Sequence, residues 1–155
     1  MSARAERWTS APTASILGTE PHAPARPARL LREALLALGT GVVLRRLCGV
    51  DAAVRAAGSQ LNVRDSVASS VVGEVAWAVL MLSRLPGVRC LDGALVARRL
   101  LARRGIGSDF LLGVRALGGT HLEAHAWLRL ADAEAIDVGE RLGYQPIRCW
   151  QAPNA

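Results

Sequence analysis

The chain has 155 residues, 51% of them hydrophobic, which is enough for one domain to bury a core without disulfides or metals. Its formal net charge is +6, but the arginines are scattered and no nucleic-acid-binding motif accompanies them, so we expect no nucleic-acid partner. The most apolar stretch, residues 35–44, is about half as long as the roughly 20 residues that a membrane span needs, so we expect no stable membrane insertion.

The three cysteines, Cys48, Cys90 and Cys149, form an odd set without a CxxC pair or metal-like spacing. An odd number of isolated cysteines argues against a disulfide scaffold and for reduced thiols. We therefore expect a cytoplasmic protein without a metal or another cofactor. The segment 1–29 has no apolar stretch of the kind that a secretory signal requires.

The chain divides by composition into a tail and one folded domain. Residues 1–26 are rich in Ala, Pro, Ser, Thr and Arg and are predicted to be a flexible tail, with the domain at 27–155. A helix is predicted over 28–46, where leucines recur at helical spacing. Gly39–Gly41 is a candidate kink or break in it, and 51–58 is expected to add one or two helical turns.

Two further helices are predicted before the spacing of the apolar residues changes from that of a helix to that of a strand. One covers residues 64–83, whose apolar stripe consists of Val67, Val71, Val75, Ala78, Val79 and Leu82, and Pro86-Gly87 stops it. The other begins close to Cys90 and runs to about Arg103, with Leu91, Leu95 and Leu100 on its buried face. Gly105 and Gly107 follow, as glycines commonly do after a helix.

The last third of the chain has the pattern of strands. Extended segments are predicted at residues 110–114, 121–130, 135–138 and 145–150, with a turn over 117–120. Helices followed by antiparallel strands predict an α+β domain.

Cys90 is the candidate nucleophile because it stands where a helix should start. A thiol attacks only as thiolate, and its pKa falls at a helix N-terminus and beside a histidine. Backbone N–H groups at the same place can stabilise an oxyanion. Cys48 and Cys149 have no comparable setting. The plainer interpretation of Cys90 is a buried and inert cysteine.

His125 is the candidate base. Strand alternation places it on one face with Glu123 and Trp127. His121 is the rival, but it lies at the edge of the predicted turn and is expected to be exposed. The plainer interpretation of a strand histidine is a packed or surface residue.

Asp137 is the candidate third member of a triad. It follows His125 by 12 residues, and a short hairpin over 132–134 would bring it back beside the imidazole. A carboxylate there fixes the tautomer of the histidine and stabilises the imidazolium. Glu140 and Asp132 are the alternatives.

Four sequence blocks together resemble one family. They are Leu85–Leu91 (LPGVRCL), a helix that ends at Arg104-Gly105, Leu112–Val114 (LGV) and Ala124–Trp127 (AHAW). In this combination the chain resembles the lasso-peptide leader peptidases, the B proteins of their pathway, which are transglutaminase-like cysteine proteases with a papain-like core. The resemblance covers roughly residues 67–150.

The resemblance implies both a site and an activity. It places Cys90 as nucleophile, His125 as general base and Asp137 as third member, in a cysteine peptidase that removes the leader from a ribosomally made precursor peptide. Asp92, Gly93 and Ala94 stand where some relatives carry Glu or Arg-Ser after the Cys-Leu pair.

The resemblance also implies partners. We expect no winged-helix leader-recognition domain, as in the larger B protein, before the helices. The chain therefore resembles the split form, which works with a separate leader-binding protein. The freed core peptide would pass to an ATP-dependent ring-closing enzyme, which is a further candidate partner. The apolar stripe Leu35, Leu38 and Val42 either packs on its own domain or docks such a partner.

Two other functions remain open. The same triad in a transglutaminase-like domain can transfer the acyl group to an amine instead of water. Alternatively, the domain is a catalytically inactive module that binds peptides.

Overall fold

The computed structural model describes residues 24–59, 69–117, 121–130, 135–136 and 143–152. The predicted tail, residues 1–26, therefore lies almost wholly outside the described residues. Within the described ranges, no helix is long and apolar enough to cross a membrane.

The first helix, α1, spans Pro27–Gly58 and is kinked at Gly49, whose φ is 83° and ψ 175°. Proline at the start suits a first turn whose N–H groups have no helical acceptor. The predicted kink at Gly39–Gly41 is wrong, because the helix continues through both glycines. A glycine inside a helix costs only about 1 kcal/mol, whereas the left-handed conformation at Gly49 interrupts the helix. The turns predicted over 51–58 are confirmed beyond it.

The second and third helices are α2, Ser69–Ser83, and α3, Cys90–Ala102. A turn with Gly87 at φ 85° separates them, as Pro86-Gly87 predicted. The predicted start of α2 at residues 64–68 lies outside the described residues. Both α1 and α2 pack against α3. The largest side chains at the centre of this packing are Phe110, Leu100, Leu101, Leu128, Val54, Val72, Val75, Val79 and Val96.

Among the described residues, a four-stranded antiparallel sheet follows the helices. Its strands are β1 (Asp109–Ala116), β2 (Leu122–Arg129), β3 (Ala135–Ile136) and β4 (Gln145–Trp150), in the order β3-β2-β1-β4. Helix α3 packs on β2. The predicted α+β architecture is therefore confirmed, and it sets the N-terminus of α3 beside a strand.

A buried arginine ties the end of β4 to α3. Arg98 is 4% exposed, and its guanidinium donates to the backbone oxygens of Trp150 at 3.0 Å and Gln151 at 3.1 Å. The indole N–H of Trp150 donates to Asp51 on α1 at 2.7 Å. Charge-assisted hydrogen bonds from a desolvated donor are strong, so β4 is held to the helical layer at this end.

We expect Arg98→Ala to lower the free energy of unfolding by about 2–4 kcal/mol, because two charge-assisted hydrogen bonds are lost and two carbonyls are left without their donor. Urea denaturation followed by circular dichroism measures the change. Arg103→Ala is the matched control, since Arg103 is exposed just after α3, and its effect should stay within about 0.5 kcal/mol. Equal effects of the two substitutions would contradict the role of Arg98.

Candidate active site

Cys90 is the first residue of α3 and is half-buried. Arg89 before it has extended backbone angles, φ −108° and ψ 167°, so the helix begins at the cysteine itself. The first backbone N–H groups of a helix have no partner within it and carry its positive dipole end. The sequence prediction of a helix starting at Cys90 is confirmed.

Asp92 fixes this start of the helix. One carboxylate oxygen accepts a hydrogen bond from the backbone N–H of Arg89 at 3.2 Å, and the other accepts from Arg45 of α1 at 3.1 Å. The side chain is only 4% exposed. Asp92 thus acts as the carboxylate half of a capping box, and Arg45 balances its charge two residues from the cysteine.

His125 comes from the middle of β2 and is 6% exposed. The Cys90 sulfur lies 4.0 Å from the backbone oxygen of Ala124, and the backbone N–H of Ala126 also interacts with the sulfur. Backbone groups two residues apart point to the same side of a strand. The sulfur therefore rests against one edge of β2, beside the histidine.

The Cys90 thiol is activated. Its pKa lies below that of an ordinary thiol, first because the His125 side chain hydrogen-bonds to the sulfur; partial burial opposes this, and the backbone N–H groups of Ala126 and Leu91 assist it. Partial desolvation, and then the Asp109 carboxylate, raise the pKa of the Cys149 thiol. Both Cys48 and Cys149 are exposed. Among the described residues, no histidine contributes to the pKa shift at Cys149.

The third predicted triad member is not described. Asp137, like its alternatives Asp132 and Glu140, lies outside the described residues. Strand β3 pairs with β2 so that Ile136 opposes Leu128, as a hairpin between them requires. The role of Asp137 stays a prediction. The rival histidine, His121, is exposed at the start of β2, as expected.

Sequence analysis missed Tyr144. Its ring lies 5.0 Å from the His125 ring, centroid to centroid, at an interplanar angle of 35°. Two further residues hold it: Arg115 lies 4.6 Å above the ring and Glu123 hydrogen-bonds with its hydroxyl. The sequence offered only one hint, a single tyrosine after Gly143. Its place beside His125 depends on the order of the strands in the sheet, which hydrophobic periodicity does not reveal.

This arrangement can perform nucleophilic acyl chemistry. A thiolate hydrogen-bonded to an imidazole can attack a carbonyl and form a thioester, while the imidazole moves the proton. Leu91 and Ala126 supply backbone N–H groups beside the sulfur, where an oxyanion would form. No cluster of three or more metal-ligand side chains occurs in the part of the chain that the structure describes.

A family model described as the transglutaminase-like superfamily matches residues 34–149, well over half of the chain. The chain belongs to the transglutaminase-like superfamily. This membership supports an activity of the cysteine protease or acyltransferase type, and the helices followed by an antiparallel sheet are consistent with a papain-like core. No curated protein and no solved structure gives a match.

We expect Cys90 of this transglutaminase-like domain to be alkylated at lower pH than the other thiols. In Cys48→Ser/Cys149→Ser, the rate of iodoacetamide labelling should rise with pH through a midpoint below that of an ordinary thiol, about 8.5, because His125 stabilises the thiolate. Adding His125→Ala should move the midpoint upward.

The matched control is Cys48→Ser/Cys90→Ser, in which Cys149 is the labelled thiol and the midpoint should lie above the ordinary value. A Cys90 midpoint equal to that of Cys149, or unchanged by His125→Ala, would refute the activated thiolate.

We expect Asp92→Ala to lower the free energy of unfolding by about 2–3 kcal/mol, because the helix loses its cap and Arg45 loses its partner. A double-mutant cycle with Arg45→Ala, measured by urea denaturation, should give a coupling energy of about 1 kcal/mol. Effects that add to within about 0.3 kcal/mol would show that the two residues do not act together.

Proposed function

We propose that this protein is a cysteine peptidase that cleaves the leader from a ribosomally synthesised lasso precursor peptide. The observation that carries the proposal is the Cys90 thiol at the start of α3, hydrogen-bonded to His125 of β2. The same two residues stand in the sequence blocks that resemble the leader peptidases. Superfamily membership supports the general chemistry.

The reaction is the hydrolysis of one peptide bond. The Cys90 thiolate attacks the carbonyl carbon at the leader–core junction, and the resulting oxyanion accepts hydrogen bonds from backbone N–H groups beside the sulfur. When the intermediate collapses, the His125 imidazolium gives its proton to the departing amine of the core peptide. The leader remains on Cys90 as a thioester.

Water then completes the cycle. His125, now neutral, takes a proton from a water molecule, which attacks the thioester carbonyl and releases the leader as a carboxylic acid. The proton returns to the Cys90–His125 pair. In this proposal Asp137 accepts the other N–H of the imidazole and keeps it in the correct tautomer.

The partner of the peptidase would be a separate leader-binding protein, with the ATP-dependent cyclase as a further candidate. Of the stripe considered for docking, Leu38 packs against the core, whereas Leu35 is 50% exposed. Leu36, Val43 and Leu47 on the same helix are more exposed still, at 63%, 54% and 79%. A partner that contacts α1 would meet these side chains.

We expect mass spectrometry of the cognate precursor, incubated with the leader-binding protein and this chain, to show one cleavage at the leader–core junction. Cys90→Ala should abolish it because the thioester cannot form, and His125→Ala should slow it by about 100-fold or more. Cys149→Ala and His121→Ala are the matched controls and should cleave normally. Cleavage by Cys90→Ala would overturn the proposal.

Acyl transfer is the second candidate, and membership of the transglutaminase-like superfamily favours it. The same thioester gives an amide instead of an acid if an amine reaches it first. The two outcomes differ in product mass when a primary amine is added to the cleavage reaction. A leader that carries the amine at its new C-terminus would assign acyl transfer, and a free acid at saturating amine would assign hydrolysis.

A further inference from the structure

The imidazole of His125 is in contact with two aromatic side chains. Trp127, two residues along the same strand, stacks on it at 6.1 Å between centroids and 19° between planes. Tyr144 lies closer, at 5.0 Å, and comes from the other side of β1, just before β4. The ring is therefore packed along its own strand and also across the sheet.

Gly113 of β1 stands between His125 of β2 and the start of β4. Gly113 stands opposite His125 on one side and opposite Pro146 of β4 on the other. A Cβ atom at this position would lie 2.7 Å from the Trp127 ring and 2.8 Å from the backbone oxygen of Gln145. Without a side chain there, the Trp127 ring and the backbone of Gln145, the residue after Tyr144, can both lie close to β1.

Tyr144 is itself held by two charged residues. The guanidinium of Arg115 lies over its ring and also forms an ion pair with Glu123, with 2.7 Å between Nη2 and Oε2. The Tyr144 hydroxyl and the Glu123 carboxylate are hydrogen-bonded to each other. Arg115, Glu123 and Tyr144 thus form a closed set of three contacts, here called the tyrosine cluster.

The tyrosine cluster keeps its hydrogen bond over a wide pH range. Desolvation first, and then Glu123, raise the pKa of the Tyr144 hydroxyl, so it stays a neutral donor. Tyr144 first, and then Arg115, lower the pKa of the Glu123 carboxyl, so it stays an ionised acceptor. Donor and acceptor therefore remain matched between the ordinary pKa values of a carboxyl and a phenol, roughly pH 4 to 10.

We propose that Tyr144 is a positioning residue, which holds the His125 imidazole against Cys90 through ring packing while Glu123 and Arg115 hold the tyrosine. The inference rests on the Cys90–His125 pair of the proposed function. Tyr144 and Glu123 are not core residues, since Tyr144 is half-buried and Glu123 is 43% exposed. Ordering exposed side chains costs conformational entropy, which the ion pair and the ring contacts of this cluster offset.

The test measures the Cys90 thiolate directly and requires no peptide substrate. Among the described residues, the titratable and charged groups around the imidazole are Cys90 on α3, Arg115 on β1, Glu123 on β2 and Tyr144 itself. In the Cys48→Ser/Cys149→Ser chain, iodoacetamide labelling of Cys90 is followed from pH 4 to 9. Far-ultraviolet circular dichroism and thermal unfolding report whether each variant is folded.

At pH values below the midpoint, Tyr144→Leu should lower the labelling rate by about threefold or more. This corresponds to a rise of about half a unit in the pKa of Cys90. Tyr144→Phe keeps the ring and loses only its link to Glu123, so its profile should lie between those of the parent chain and Tyr144→Leu. Ile147→Ala, a truncation of an exposed side chain on β4, should leave the profile unchanged. A Tyr144→Leu profile that coincides with the parent profile would overturn the proposal.

A second measurement needs no substitution at Tyr144. Tyr144 is the only tyrosine in the sequence, so the tyrosine ring resonances can be assigned to it without further experiments. The resonances that disappear in His125→Ala belong to His125. We expect nuclear Overhauser contacts between the two rings, and their absence would refute the proposal even if Tyr144→Leu fails to fold. A positive result together with no peptide cleavage would uphold the role of Tyr144 and reject leader cleavage alone.

Discussion

The hydrogen bond between the Cys90 sulfur and the His125 side chain is the contact on which the site depends. It can form only where the first turn of α3 meets the edge of β2, because the cysteine opens the helix and the histidine lies in mid-strand. The packing of α3 between the other helices and the sheet sets that meeting point. A thiolate placed there is stabilised both by the helix N-terminus and by the imidazole.

Several of the described arginines bond within the molecule. Arg98 and Arg99 donate to backbone oxygens of Trp150, Gln151 and Ala56. Arg45 and Arg104 pair with acidic side chains that are distant in sequence. The planar guanidinium, with five donors, suits such ties between elements. Part of the basic composition is therefore used in internal hydrogen bonding.

Local sequence predicted the parts of the site that depend on local structure. The start of α3 follows from Pro86-Gly87 and the leucine spacing after Cys90, and the position of His125 follows from strand alternation. Three features did not follow. The kink lies at Gly49 because the backbone angles of that glycine are not helical, whereas the presence of a glycine alone does not break a helix. Asp92 finds Arg45 across 47 residues, and Tyr144 reaches His125 only because β4 pairs with β1.

The site therefore combines contacts between residues close in sequence with contacts between residues distant in sequence. The helix start and its Asp92 cap position Cys90 locally, and the sheet brings His125 and Tyr144 to it from separate strands. Gly113 stands between the two strands, and its missing side chain leaves room for the Trp127 ring and for the backbone of Gln145, the residue after Tyr144. A buried imidazole in contact with two rings has few orientations left. The imidazole is consequently held in place beside the Cys90 sulfur, and the proposed chemistry through a thioester depends on such fixed geometry.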